Sequence, residues 1–193
     1  MEFKKYSIKS QLVISGIFTL LNFLVAFLSG PVFHLPLFMD MIFVYAAAFL
    51  GVPCGIITGV LFSLLGAIFL QHNLLYFLYA ICCVSGVFIT WLLVTRHDNF
   101  SWIRVALLIF ISSVVISLEG ALIYSLFFNK WEGANESSSV IFLTYTLILQ
   151  NLGLYLSAFL ARLPVNLIDK AIAVLAGLGI FTLLSSLRPL RKA

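Results

Sequence analysis

The chain has 193 residues, of which 63% are hydrophobic and 9% charged, with a formal net charge of +4 and a mean hydropathy of +1.16. A soluble domain carries about 25% charged residues, so this chain cannot cover itself for water. The totals exclude a soluble enzyme or nucleotide-binding module, and the continuous apolar runs exclude an outer-membrane barrel, whose strands alternate.

What is left is an all-α, polytopic helical membrane bundle. We read it as one integral membrane domain over 1–193, with about six transmembrane helices plus one irregular or re-entrant segment. The positive balance belongs to cytoplasmic loops and tails and gives no reason to expect nucleic acid as a partner. Cys54, Cys82 and Cys83 sit in apolar surroundings without a CxxC pair, the pattern of inert buried thiols.

Residues 1–11, with Lys4, Lys5 and Lys9, read as a basic surface segment, and 12–29 as a first span whose one strongly polar side chain is Asn22. No cleavage site closes this run, so it is expected to stay in the protein. Pro31 and Pro36 stiffen an outer loop that also holds His34. Residues 38–51 predict a short second helix. Its fourteen residues would rise only about 21 Å against a bilayer core of about 30 Å, so it is incomplete or sunken.

A sharp reversal is expected at Gly51-Val52-Pro53-Cys54-Gly55, followed by a third helix over 54–70. There Gly55, Gly59, Ser63 and Ala67 recur every four residues, which makes a shallow groove for another helix. After the turn Gln71-His72-Asn73 comes a fourth span, 74–95, and then a loop with Arg96, His97, Asp98 and Arg104. The fifth span, 103–128, carries Glu119 well inside it.

The stretch 129–139 is hydrophilic, with Lys130, Glu132 and Glu136, and contains a glycosylation-like triplet at Asn135-Glu136-Ser137. Residues 140–161 are apolar around a central Gln150-Asn151 and Gly153. Arg162-Leu163-Pro164 is expected to interrupt the helix before a last run, 165–187, and a basic tail. If 140–161 were a full span, Arg188, Arg191 and Lys192 would lie outside, against the positive-inside bias. A broken or re-entrant 140–161 instead puts both termini in the cytoplasm, the reading adopted here.

Several residues could do more than pack. A carboxylate at the centre of a span costs about 2.5–3.5 kcal/mol, so Glu119 is either functional or bonded to a neighbouring helix, with Asn22 or Gln150 as partners. Asp40 is either a solvated helix cap or, with His34 and His72, part of an outer site. That trio is weak as a metal site, and no metal and no cofactor are expected. Asp169-Lys170 reads as an interfacial anchor or, with Gln150 and Asn151, as part of a pocket. Trp131 and Tyr145 could cover a flat ligand or belong to an aromatic belt. No catalytic motif is present, so the chain is not expected to be an enzyme.

The order "PLFMD" at 36–40, "FLGVPCGIITG" at 49–59 and "LPVNLIDKAIAVLAG" at 163–177 resembles the substrate-binding S-components of energy-coupling factor (ECF) vitamin transporters. The resemblance implies a six-helix bundle with cytoplasmic termini and a pocket near the outer surface, with the loop after helix one as its lid. It places Asp40 near the pocket and Asp169-Lys170 at its rim. It also implies a small-molecule, vitamin-like substrate, a transmembrane T-component and ATPase subunits as partners, and the cell membrane as location. Docking in that family runs through small residues on helix one. Here those are Ala26 and Gly30, or Ser15 and Gly16, with the groove of Gly55, Gly59 and Ser63 as a substitute. The alternatives are a membrane sensor or scaffold subunit that binds without transport and, resting on Glu119 alone, an intramembrane enzyme.

Overall fold

The computed structural model describes residues 8–97, 99–128 and 138–186, and among these it is all-helical. Helix α1 (Ile8–Phe27) continues through a wider turn over Leu28–Val32. An irregular link leads to α2 (Ile42–Leu50) and directly on to α3 (Val52–Leu65), which ends in another wide turn at Leu70. A tight helical segment, Leu74–Tyr79, opens α4 (Ala80–Thr90), which extends to Thr95. Then come α5 (Trp102–Ile123), extended to Phe128, the short α6 (Ser138–Leu149) and the long α7 (Leu154–Ser186).

Five of these stretches are long and apolar enough to cross a membrane, the build of a multi-pass membrane protein: Ile8–Val32, Val52–Leu70, Leu74–Thr95, Trp102–Phe127 and Leu154–Ser186. Large apolar side chains such as Ile103, Phe110 and Leu183 point outward from them, as lipid-facing positions do. The expected sixth pass is α2, and at nine residues it rises only about 14 Å. It is a half-length helix, as its sequence predicts.

The sequence of α2, IFVYAAAFL, has no polar face, and the helix is accordingly enclosed on all sides. Val44 through Leu50 are at most 4% exposed. Neighbouring helices reach it because they carry glycine at the crossings. A Cβ on Gly177 of α7 would stand 2.9 Å from the Ala46 amide nitrogen and the Ile42 carbonyl oxygen. One on Gly55 of α3 would stand 3.0 Å from the Ala48 Cα, and one on Gly86 of α4 would meet Met41 and Tyr45.

Contacts between named residues fix the directions. Ser15 and Thr19 donate to the carbonyls of Cys54 and Thr58, so α1 and α3 run parallel. Gly55 faces Val87 while Gly59 faces Cys83, so α3 and α4 are antiparallel. Asp169 lies by Met39 and Phe181 by Phe49, so α7 runs the same way as α2. Gly120 and Tyr124 both meet Arg162 while Ser113 meets Asn166, so α5 opposes α7. Consequently Ile8 and Ser186 fall at the same end of the bundle, the end away from Asp40.

One detail differs from the sequence reading. Pro164 does not interrupt the helix; α7 runs through it for 33 residues. Arg162 lies over Tyr124, and Asn166 holds Ser113 and Ser117, so contacts with α5 on both sides of the proline carry the helix across the lost hydrogen bond. The break expected within 140–161 falls at 150–153, where Asn151 takes a left-handed φ of 64°, a conformation Asn tolerates. The reversal at Gly51 is as predicted, with Pro53 in the first turn of α3, where its missing N–H is harmless.

Candidate functional site

Because α2 is short, none of the described helices occupies the bundle axis beyond its N-terminus, and a cavity of about 540 Å³ lies there. That volume suits a small organic molecule. Its walls come from the end of α1, the link before α2, the ends of α3 and α4, and the faces of α5 and α7. Met41, Phe62, Cys82, Cys83 and Ile116 supply apolar surface. Asp40, Tyr76, Tyr79, Arg162, Asn166 and Lys170 supply polar groups.

An ion cluster sits against this cavity. The Lys170 ammonium, 1% exposed, donates to Asp169 Oδ2 at 2.7 Å and to Asp40 Oδ1 at 3.3 Å. Asp169 itself is fully buried behind the wall, and its Oδ1 accepts the Met39 N–H at 2.7 Å. A buried charge needs such pairing, because the desolvation of each ion is otherwise uncompensated. Asp40 lies in the wall, with its side chain 38% exposed.

Asn22 of α1 fixes the backbone beneath. Its Nδ2 donates to the Asp40 carbonyl and its Oδ1 accepts the Phe43 N–H at 2.9 Å. An asparagine from another helix thus caps α2, whose own Met41 provides no side-chain cap. Asn22 is therefore spoken for and is not the partner of Glu119.

On α7 the residues Arg162, Asn166 and Lys170 recur every four positions and all line the cavity. The Arg162 guanidinium lies 4.7 Å from the centre of the Tyr124 ring, and its Nη1 donates to the Ala158 carbonyl at 3.1 Å. Gly120 leaves room for that side chain: a Cβ there would lie 3.4 Å from Arg162 Cδ. Asn166 donates from Nδ2 to Ser117 Oγ at 2.9 Å.

The sequence-derived candidates divide cleanly. Asp40, Lys170 and the exposed His34 line the cavity, and Asp169 backs it. Glu119 does not line it; it lies between α5 and α4, where the Ser85 hydroxyl donates to its Oε1. Gln150 is not its partner, because Gln150 and Asn151 are exposed in the turn between α6 and α7, outside the cavity wall. His72 is exposed and not part of the wall, and among the described residues no group of His, Cys, Asp and Glu is placed to hold a metal. Tyr145 is exposed on α6, while Trp131, the acidic loop, the triplet at Asn135, Asp98 and both tails lie outside the described residues.

Of the small residues considered for docking, Gly16 is exposed with nothing within 4 Å of it, Ser15 is buried against Cys54, and the others are used within the chain. Gly55 and Gly59 are buried against Val87 and Cys83 of α4, so that groove is filled by the chain's own helix. Ser63, Ala26 and Gly30 line the cavity. Arg162, Asn166, Tyr76 and Tyr79 were not among the sequence candidates; the four-residue spacing 162/166/170 is the one signal that points to part of the set.

The chain matches no family model, and no curated protein and no solved structure matches it.

Proposed function

We propose that the chain is the membrane-embedded substrate-binding subunit of an ECF-type transporter, capturing a vitamin-like small molecule for uptake driven by partner ATPases. The observation that carries this is the hollow of about 540 Å³ above α2, lined by charged, amide and aromatic groups at one end of an otherwise apolar bundle. Pockets of this size, mostly apolar with a few convergent polar anchors, are what small ligands fill.

The orientation follows from charge. Lys9, Arg96 and Arg104 stand at helix ends away from the cavity, and basic residues favour the cytoplasm, so the hollow opens to the outside and both termini lie inside. The link 33–41, with exposed His34, Leu35 and Pro36 at the rim, is the part of the wall that a ligand would pass. In this reading the T-component and ATPases supply the work, and no step of chemistry is assigned to the chain.

The test is uptake and retention together. Mass spectrometry of the purified protein should find one small molecule in stoichiometric amount. Cells expressing the chain with a T-component and ATPases should accumulate it, and an ATPase-dead partner should stop accumulation. Binding without ATPase-dependent uptake would overturn transport in favour of the sensor or scaffold reading. Absence of any bound molecule would remove capture itself.

A further inference from the structure

We infer that the cavity accepts, beside Asp40 and Asn166, a head group that bears N–H donors and is neutral or cationic, and that it rejects an acid there. The inference rests on the capture reading above and names the ligand chemistry of the same site.

The first ground is a vacant acceptor. Asn166 lines the cavity and is 2% exposed, and with Nδ2 given to Ser117 its Oδ1 has no hydrogen-bond partner among the described residues. A buried carbonyl oxygen without a donor is costly, so a ligand N–H at that place gains more than it would at the surface.

The second ground is charge, and it is independent of the first. One helical turn along α7, the cluster of Lys170, Asp169 and Asp40 holds one cation against two carboxylates. Asp169 is committed to Lys170 and to the Met39 amide, so the contact with Asp40, longer by 0.6 Å (3.3 against 2.7 Å), is the one open to exchange. A carboxylate brought beside this cluster meets like charge in a poorly solvated place, whereas an N–H or ammonium group meets Asp40 as an acceptor.

The third is fit. Asn166 and Lys170, at i and i+4 on α7, have Cβ atoms about 6 Å apart, and Lys170 holds Asp40 at 3.3 Å, so Asn166 and the cluster line one stretch of the wall on the scale of a small planar head group. The rings of Tyr76 and Tyr79, stacked at 5.9 Å with 28° between planes, line the same hollow and offer aromatic faces to a planar group. Arg162 stands one turn to the other side of Asn166, two turns from Lys170.

Three near-isosteric probes test this on the purified full-length chain: benzamide, benzamidine and benzoate, followed by ligand-observed saturation-transfer NMR. Benzamide and benzamidine should bind about tenfold more tightly than benzoate, the factor expected of one buried hydrogen bond gained or lost. Asn166→Leu should weaken benzamide and benzamidine and so shrink that preference, leaving the part owed to the carboxylates, and Asp40→Asn should weaken benzamidine more than benzamide. Should Asn166→Leu fail to fold, Asn166→Asp, which keeps the shape and adds a carboxylate, should widen the gap between benzamidine and benzoate. Benzoate binding as well as benzamide, or none of the three competing with the co-purified molecule, overturns the inference. Failure of ATPase-dependent uptake touches only the transport reading, so the two can fall separately.

Discussion

On the side of Asp40 towards the chain termini the bundle is solid, and on the other side it is hollow, although α1, α3, α4, α5 and α7 run through both halves. In the solid half, α2 occupies the axis; glycines at 55 and 177 bring α3 and α7 to its backbone, and Gly86 of α4 packs against the Met41 and Tyr45 side chains. In the hollow half the axis is empty, and the inward positions of α7 change from Gly177 and Ala173 to Lys170, Asn166 and Arg162. A central helix of half the bilayer's thickness thus makes a pocket without any helix having to bend away. Polar groups can enter the hollow half because they pair with one another or stand where a ligand can complete them. In the solid half the axis is filled by α2 and by apolar side chains such as Tyr45, Phe49 and Phe181.

The largest effect is expected at the seam between the halves. Lys170→Met removes the cation from two carboxylates, one of them fully buried. Leaving a buried charge unpaired costs about 3–5 kcal/mol, so the variant should lose most of its thermal stability in detergent. Adding Asp169→Asn should restore much of it, because the deepest uncompensated charge is then gone. A Lys170→Met protein that melts like the parent would mean that the cluster does not hold the seam.

Asn22→Leu strikes the same seam from α1. It strips partners from the Asp40 carbonyl and the Phe43 N–H, and each orphaned group costs about 1–3 kcal/mol. Stability should therefore fall by roughly 2–6 kcal/mol on summing the two. Binding should fall with it, since Asp40 is no longer held. If stability falls while binding is unchanged, the cap supports the solid half alone.

Much of this division could be read from the sequence, and the failures have physical causes. The short α2, the reversal at Gly51 and the need of Asp40 and Lys170 for partners follow from local rules, namely length, a proline in a first helical turn and the cost of charge in an apolar run. What the spacing of Gly55 and Gly59 could not reveal is which helix fills the groove. A four-residue small stripe is the same whether α4 of the same chain or a partner lies in it. The break expected within 140–161 is found at 150–153, but the interruption expected at Pro164 is absent, because contacts of Arg162 and Asn166 with α5 outweigh one lost hydrogen bond. Gln150 and Asn151 read as pocket residues because they are polar in an apolar stretch, yet they are the turn itself.

Two glycines on one helix sharpen the contrast between filled and open space. Gly177→Ala drives a methyl group to 2.9 Å from backbone atoms of α2, which cannot yield as a side-chain tip could. Overpacking of this kind costs about 1–3 kcal/mol. Two residues on, Gly179 has nothing within 4 Å, so Gly179→Ala should be neutral or slightly stabilising, by up to about 1 kcal/mol from helix propensity. Equal melting temperatures for the two variants would show that α2 is not clasped as described.

The smallest effect is expected at Glu119, where sequence alone would place the largest. Its carboxyl lies in the solid wall between α5 and α4, not in the hollow, and its described hydrogen bond is the one from Ser85. Glu119→Gln keeps an oxygen to accept that bond and places an amide where Oε2 now stands without a hydrogen-bond partner. Stability should change by less than about 1 kcal/mol, the scale of one net hydrogen bond, and ligand affinity should stay the same. Ser85→Ala removes the donor and should cost more than Glu119→Gln, since a buried carboxyl then loses its described partner. A Glu119→Gln protein that folds normally but loses ligand would reverse this ranking. It would extend the functional region from the hollow through the α4–α5 wall and return Glu119 to the place its depth in the span first suggests.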